Sequence, residues 1–423
     1  MQELLDAGHA VRVMARDAKR ASARSWGPSV EIVEADLMDI GSLAAALDGV
    51  SVAYYLVHSM CSGDDFAETD RRAARNFVAA GVALDQLIYL GGILPETEAS
   101  QTTSEHLRSR AEIGSILHAG LPVTEFRAGP IIGGGSASFE MVRYLTERLP
   151  AMIAPKWILN EVQPIAIRDA LSYLVAAVGR ADSLGVIDIG SDRLTFKAMM
   201  ERYAEVRGLP RLIIPVPVLA PSLAALWVGL VTPIPNCLAV PLVQGVVQPV
   251  VGDTTRARAL FPEIEPESYV AAVSSALAHT EAGEVATRWS VAGGPNSPKV
   301  RLEDKEGVVR EIRSKLVDAP AAAVFAAFSS LGGARGWLVW NWAWKVRGVI
   351  DQIVGGPGLR RGRRDPLVLY PGEALDFWRV EEYQPSSLLR LRAEMKVPGR
   401  AWLQFEAIPE GDQTRLVQTA FFA

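Results

Sequence analysis

A succession of short, almost wholly apolar runs separated by stretches of helical spacing constrains this chain most. Residues 10–15 (AVRVMA), 30–33, 52–57 (VAYYLV), 86–90 and 123–126 have the length of strands. Residues 64–84 and 104–119, lying between them, read as helices. A strand that is apolar at nearly every position has both faces covered, which is the condition of a parallel sheet with helices on each side. At the start, residues 2–7 followed by Gly8 read as the last turns of a helix closed by a glycine. A helix that leads into the first apolar run should itself follow a strand and a tight glycine turn. The chain is therefore expected to lack that strand and turn.

The alternation continues through a helix at 165–178, a strand at 186–189 and a helix at 195–207 with Thr195 as its cap. From Leu212 to Gly252 no residue is charged, which raises the question of a membrane. Prolines at 215, 217, 221, 233, 235, 241 and 249 leave 222–232 as the longest proline-free run. That is well short of the roughly 20 residues a spanning helix needs. The preferred reading is a buried, proline-broken subdomain over 205–255, with peripheral contact to lipid as the alternative. The first residues have neither the basic nor the apolar region of a signal peptide.

The texture changes after residue 280. Ala292-Gly293-Gly294-Pro295-Asn296-Ser297-Pro298 marks a linker within 281–300. Beyond it, residues 308–317 read as a strand and 321–328 as an apolar helix. Leu389, Leu391, Ala393, Met395 and Val397 alternate with Arg390, Arg392, Glu394 and Lys396, one face dry and one wet. Residues 401–407 and 414–422 continue the antiparallel run. Two domains, 1–280 and 301–423, suit a chain of 423 residues. Trp337, Trp340 and Trp344 share a helix face by spacing and read as packing, with an aromatic-lined cavity as the sharper alternative. Arg360-Arg361-Gly362-Arg363-Arg364 reads as a solvated turn, or as a contact for an anion or lipid headgroup.

Several classes are excluded. A net charge of −5 gives no electrostatic basis for a nucleic-acid partner. The five histidines are scattered without metal-ligand spacing, so no metal site is expected. Cys61 and Cys237 form no motif, which fits a reducing cytoplasm.

Five segments then carry a resemblance by their order and spacing: residues 11–17 (VRVMARD), 34–39 (EADLMD), 54–59 (YYLVHS), 126–133 (FRAGPIIG) and 163–169 (QPIAIRD). Over residues 1–280 the chain resembles the atypical short-chain dehydrogenase/reductases of the NmrA-like and epimerase-like branch. Residues 317–325 (VDAPAAAVF) resemble the opening of the polyketide-cyclase/START-like helix-grip fold. A bacterial group of reductase-like proteins carries such a C-terminal domain, of unknown function. The implied fold is a Rossmann-like doubly wound parallel sheet, its first strand missing, followed by an α+β helix-grip domain. The long closing helix of that second fold does not follow, so both ends are expected to be cut.

The resemblance implies NADP as cofactor, with NAD as the alternative. Arg16, at the end of the family's second strand, would pair with the 2′-phosphate, where an acid would take the 2′-hydroxyl; Lys19 and Arg20 follow. Asp36 and Leu37 would flank the adenine, although Asp36 equally suits a loop or a helix cap. Leu56, Val57 and His58 would pass the nicotinamide ribose, and Gly129 and Pro130 would form the later strand–turn of the same site. Active members use a Tyr-x-x-x-Lys pair with a serine upstream. Here the fifth strand ends Tyr89-Leu90-Gly91-Gly92, with glycine in the serine's place. The helix after it carries His106 and Arg110 at i, i+4. His106 is the candidate acid and Arg110 the candidate ribose anchor, though arginine does not titrate as lysine does. Two functions remain open. One is an NADP(H)-dependent oxidoreductase whose C-terminal domain helps to hold a small apolar or lipid-like molecule. The other is a non-catalytic dinucleotide sensor or assembly protein with a fused hydrophobic-ligand module.

Overall fold

A computed structural model describes residues 1–22, 24, 26–57, 66–95, 104–180, 183–217, 228, 232, 234, 236–281, 309–333, 335–337, 344, 348, 363, 369–394 and 400–422. The chain divides into two compact units. The first comprises 1–133, 149–226 and 236–276; the second comprises 134–148, 227–235 and 277–423. The units are thus interleaved along the chain.

The first unit is built on parallel strands: β1 (Arg12–Ala15), β2 (Glu31–Glu34), β3 (Val52–Tyr55), β4 (Gln86–Gly92), β5 (Val123–Ala128) and β6 (Gly185–Ile189). β1 pairs with β2, and the other four pair in the order β6-β5-β4-β3. Helix α1 (Gln2–Asp6) precedes them, and α2 (Ala18–Ser22), α3 (Ile40–Leu47), α4 (Phe66–Ala80) and α5 (Glu105–Gly120) fall between them. The sequence dictates this layering, because successive side chains of an apolar strand serve opposite faces. Leu87 and Tyr89 of β4 join Val123 of β5 in a core with Phe77 of α4 and Ile113 and Leu117 of α5. Ile88 and Phe126 point the other way, into a core with Ile187, Tyr173 and Phe261. There the rings of Phe126, Tyr173 and Phe261 lie with centroids 5.5 to 5.9 Å apart.

Local signals behave as their chemistry requires. Gly8 has φ +82° and stops α1, its N–H donating to the Leu5 carbonyl at 2.9 Å. The Thr195 hydroxyl accepts from the Ala198 N–H at 3.0 Å and starts the helix Phe196–Val206. Other expectations shift. The third strand ends at Tyr55, which leaves Leu56 and Val57 exposed. Ile165–Ala166 pairs in parallel with Ile131–Ile132, so the helix expected from 165 begins at Ile167. The uncharged stretch does not open as buried chain: Leu212–Val216 forms a parallel ribbon with Ala151–Pro155. One face of that ribbon is covered and the other is exposed.

The second unit contains β7 (Val309–Val317), β8 (Ala374–Leu375), β9 (Trp378–Gln384), β10 (Leu388–Ala393), β11 (Ala401–Glu410) and β12 (Gln413–Phe422). They form one antiparallel sheet in the order β7-β12-β11-β10-β9-β8. The alternation read at 389–393 places Leu389 and Leu391 at 0% exposure, with Arg390 and Arg392 on the other face. Phe325 and Phe328 of the helix Ala321–Ser329 pack in the same core as Phe377, Trp378 and Phe405. Trp337 and Trp344 pack together, centroids 5.7 Å apart, as the packing reading expects. However, Trp337 follows the Gly332–Gly336 bridge and lies in no helix, and Trp340 lies outside the described residues. Arg363 is not a solvated turn residue. Its guanidinium donates to the Ser329 and Leu331 carbonyls and closes the helix end, the latter bond at 3.0 Å.

Candidate functional site at the carboxyl edge of the parallel sheet

Open parallel sheets bind ligands in the crevice beyond the carboxyl ends of their strands. Several residues singled out from the sequence lie just beyond strand ends, those after β1 and β2 in a two-stranded sheet and those after β3 and β5 in a four-stranded one. Arg16 directly follows β1 and is exposed. Asp36 follows β2 by two residues and is half-buried. Leu56 and Val57 follow β3, and Gly129 and Pro130 follow β5. His58 lies outside the described residues.

Not all of these side chains face the crevice. The Asp36 carboxylate accepts from the Met38 N–H at 2.9 Å, and the Asp36 N–H donates to Ser42 Oγ at 3.1 Å. Asp36 thereby shapes the turn, while the cap of α3 is Asp39, which accepts from the Gly41 N–H at 3.0 Å. Leu37 turns inward, 8% exposed, and its carbonyl accepts from Asn76. Gly129 permits a close approach of two chain segments, since a Cβ there would stand 2.1 Å from the Gln163 carbonyl oxygen. Arg16, Leu56 and Val57 are the residues that offer surface.

The start of α5 is held against the end of β4. Ser104 caps the helix, accepting from the Leu107 N–H at 3.3 Å. Arg110 donates to the Leu90 carbonyl at 3.0 Å, and the Tyr89 hydroxyl donates to the Arg110 carbonyl at 3.2 Å. Tyr89 is fully buried, and burial pushes its hydroxyl pKa up. It therefore does not substitute for an exposed catalytic tyrosine. His106 and Arg110 are both half-buried on α5, one turn apart.

A second polar centre escaped the sequence reading. Glu125 lies in the middle of β5 and is 2% exposed. It accepts from His118 Nε2 at 3.1 Å and from Arg127 Nε at 2.7 Å. Burial pushes its carboxyl up, but the hydrogen bonds from His118 and from the Arg127 guanidinium outweigh burial and hold it below its ordinary value. Two glycines make the room: a Cβ on Gly114 would stand 2.7 Å from one carboxylate oxygen, and one on Gly91 would stand 3.2 Å from the other. Asp188 of β6 is in register with Arg127 and accepts from the Asp253 N–H at 3.1 Å. Burial pushes its pKa up. The available signal was an acidic and a basic residue two positions apart, Glu125 and Arg127, inside a strand. Among the described residues no group of acidic, histidine or cysteine side chains has a metal-holding arrangement.

Residues 1–110 match the model of a family described as NAD(P)H-binding, and residues 308–423 match that of a protein family of unknown function, DUF2867. No curated protein matches the chain in sequence. The chain is similar in fold to a triphenylmethane reductase of Citrobacter sp. (17% identity, TM-score 0.52, 66% of this chain and 94% of that one). It is also similar to a nucleoside-diphosphate-sugar epimerase of Staphylococcus aureus (13%, 0.52, 64% and 93%). A third structure of this fold is the UDP-glucose 4-epimerase of Thermotoga maritima, solved with UDP-glucose (14%, 0.50, 67% and 94%). The N-terminal region thus has the Rossmann-like fold of reductases and epimerases, and a separate antiparallel domain follows it.

Proposed function

We propose that the first unit binds NADP(H) along the carboxyl edge of its sheet and that the chain is an oxidoreductase for a small apolar or lipid-like molecule. The observation that carries this reading is the exposed Arg16 directly beyond β1, accompanied by exposed Leu56 and Val57 beyond β3. A guanidinium pairs two N–H groups with a phosphate, and bare leucine and valine side chains suit a flat ring laid over them. The residues present therefore fit the group. Bound nicotinamide supplies a hydride. His106, in the first turn of α5, would hold the proton that the reduced oxygen takes up, and the Arg110–Leu90 bond keeps that turn against β4. The second unit would hold the apolar molecule in a START-like helix-grip arrangement, a reading supported by its long antiparallel sheet with the helix Ala321–Ser329 packed on it.

Calorimetric titration of the full chain tests the cofactor. Arg16→Ser should weaken NADPH about tenfold to a hundredfold, the loss of a charge-assisted pair, and leave NADH unchanged. Equal loss of both would overturn the NADP choice, and absence of binding to either by a protein that carries the expected first strand and glycine turn would sink the whole reading. If His106→Phe retains full reductase activity, the acid role assigned to His106 is wrong.

One observation favours a non-catalytic sensor instead. The Arg110 guanidinium donates to the Leu90 carbonyl, and glycines 91 and 92 stand where a hydroxyl is expected. NADPH binding without turnover across a panel of aldehydes and ketones would select that reading.

A further inference from the structure

The ribbon formed by Ala151–Pro155 and Leu212–Val216 has no part in the cofactor reading. Its register sets Ala151 beside Leu212, Met152 beside Ile213, and Ile153 beside Ile214. Side chains of paired residues share a face, and alternate residues change face. Met152 and Ile213 are 6% exposed and form the covered side. On the other side Ile153 is 62% exposed, Leu212 57% and Ile214 46%, with Ala151 between them also exposed. Leu159, just beyond the first strand, is 42% exposed. A soluble ribbon alternates apolar with polar; this one is apolar on both faces.

The surrounding charge is as uneven. From residue 206 to residue 252 the charged residues are Arg211, directly before the second strand, and Arg207, at the end of the helix that precedes it, and no acid occurs. Lys156 is exposed at the far end of the first strand. An apolar face with cations at both ends matches a lipid surface, whose acyl region takes the side chains while anionic headgroups take the charges. It matches a protein partner less well. Three side chains about half exposed amount to a patch on the order of 300 Å², against roughly 800 Å² per partner in a stable protein interface. Among the described residues no helix is long and apolar enough to cross a membrane.

We propose that this ribbon docks the protein on an anionic bilayer surface, with Ile153, Leu212 and Ile214 entering the headgroup–acyl boundary. The proposal is independent of the cofactor assignment. It offers a lipophilic substrate a two-dimensional source.

Sedimentation of the full chain with vesicles tests it. The chain should pellet with phosphatidylcholine vesicles containing phosphatidylglycerol, and less with phosphatidylcholine alone. Ile153→Glu combined with Ile214→Glu should lower the partition at least about tenfold, because two charges enter the apolar boundary. Both residues are exposed, so an unchanged melting temperature is expected and serves as the folding control. Lys156→Gln should weaken binding about fivefold at low salt. Wild-type chain that stays in the supernatant with every vesicle overturns the proposal, and so does a double variant that pellets like wild type. A wild-type dimer that the double variant converts to monomer in light scattering assigns the face to a second copy and overturns it as well.

Discussion

Glu125 in the first unit and Asp376 in the second are two carboxylates of nearly equal depth, 2% and 4% exposed. Burial pushes the pKa of both upward. Glu125 nevertheless ends below its ordinary value, because His118 and Arg127 hydrogen-bond to it. Asp376 remains above its own. It receives the Trp337 indole N–H at 2.9 Å and the Gly333 N–H at 3.3 Å, both neutral donors, while Arg148 and Arg363 act only through space. Depth sets the cost of a buried charge, and the charge of the hydrogen-bond donor decides whether that cost is offset.

Removing a cation from the first centre should have the largest effect. Arg127→Leu leaves Glu125 buried with one titratable partner, and should destabilise the first unit by about 3 kcal/mol in urea unfolding; a loss below 1 kcal/mol would mean the pair is spectator to the fold. Gly114→Ala comes next. Its Cβ meets the carboxylate, so a loss of about 2 kcal/mol is expected. In a Glu125→Ala background the same change should instead gain about 1 kcal/mol, since alanine is the better helix former once the oxygen is gone. If the sign does not reverse, crowding by Glu125 is not what keeps Gly114 a glycine. Trp337→Phe deprives Asp376 of its indole donor and should cost the second unit about 1–2 kcal/mol, read by thermal unfolding.

The smallest effect is a divergence with pH. Glu125 is lowered in the fold, so its stabilising contribution is present above the ordinary glutamate value of 4.5 and drains away as pH falls through the lower folded value. Asp376 is raised, so the folded second unit binds its proton more readily than the unfolded chain does. That unit should gain stability as pH falls through the raised folded value toward 3.8. Asp376→Asn should flatten that response, and unfolding curves of the two units that keep parallel slopes between pH 3 and 7 would contradict the contrast.

The same two centres mark what the sequence made legible. Periodicity located β4, β5 and the alternating β10, because burial on two faces or on one imposes distinct spacings. Arg16, Leu56 and Val57 could be placed at strand ends because the resemblance ties each to a strand. The Glu125 centre was not legible, since it joins a strand residue to His118 and to Gly114 of a helix, and only the register of α5 on β5 brings them together. Asp376 shows φ +54° and meets a tryptophan 39 positions away, a pairing that no local pattern encodes. The ribbon was hidden for a related reason: prolines and absent charge look alike whether the chain is covered or bare.

The helix Ala137–Arg148 lies in sequence between strands of the first unit yet belongs to the second. No single crossover in the gene can therefore move the second unit to another protein whole. A cut within 281–300 would leave behind that unit's helix, on which Phe139 and Val142 are fully buried. A single cut therefore yields neither unit whole.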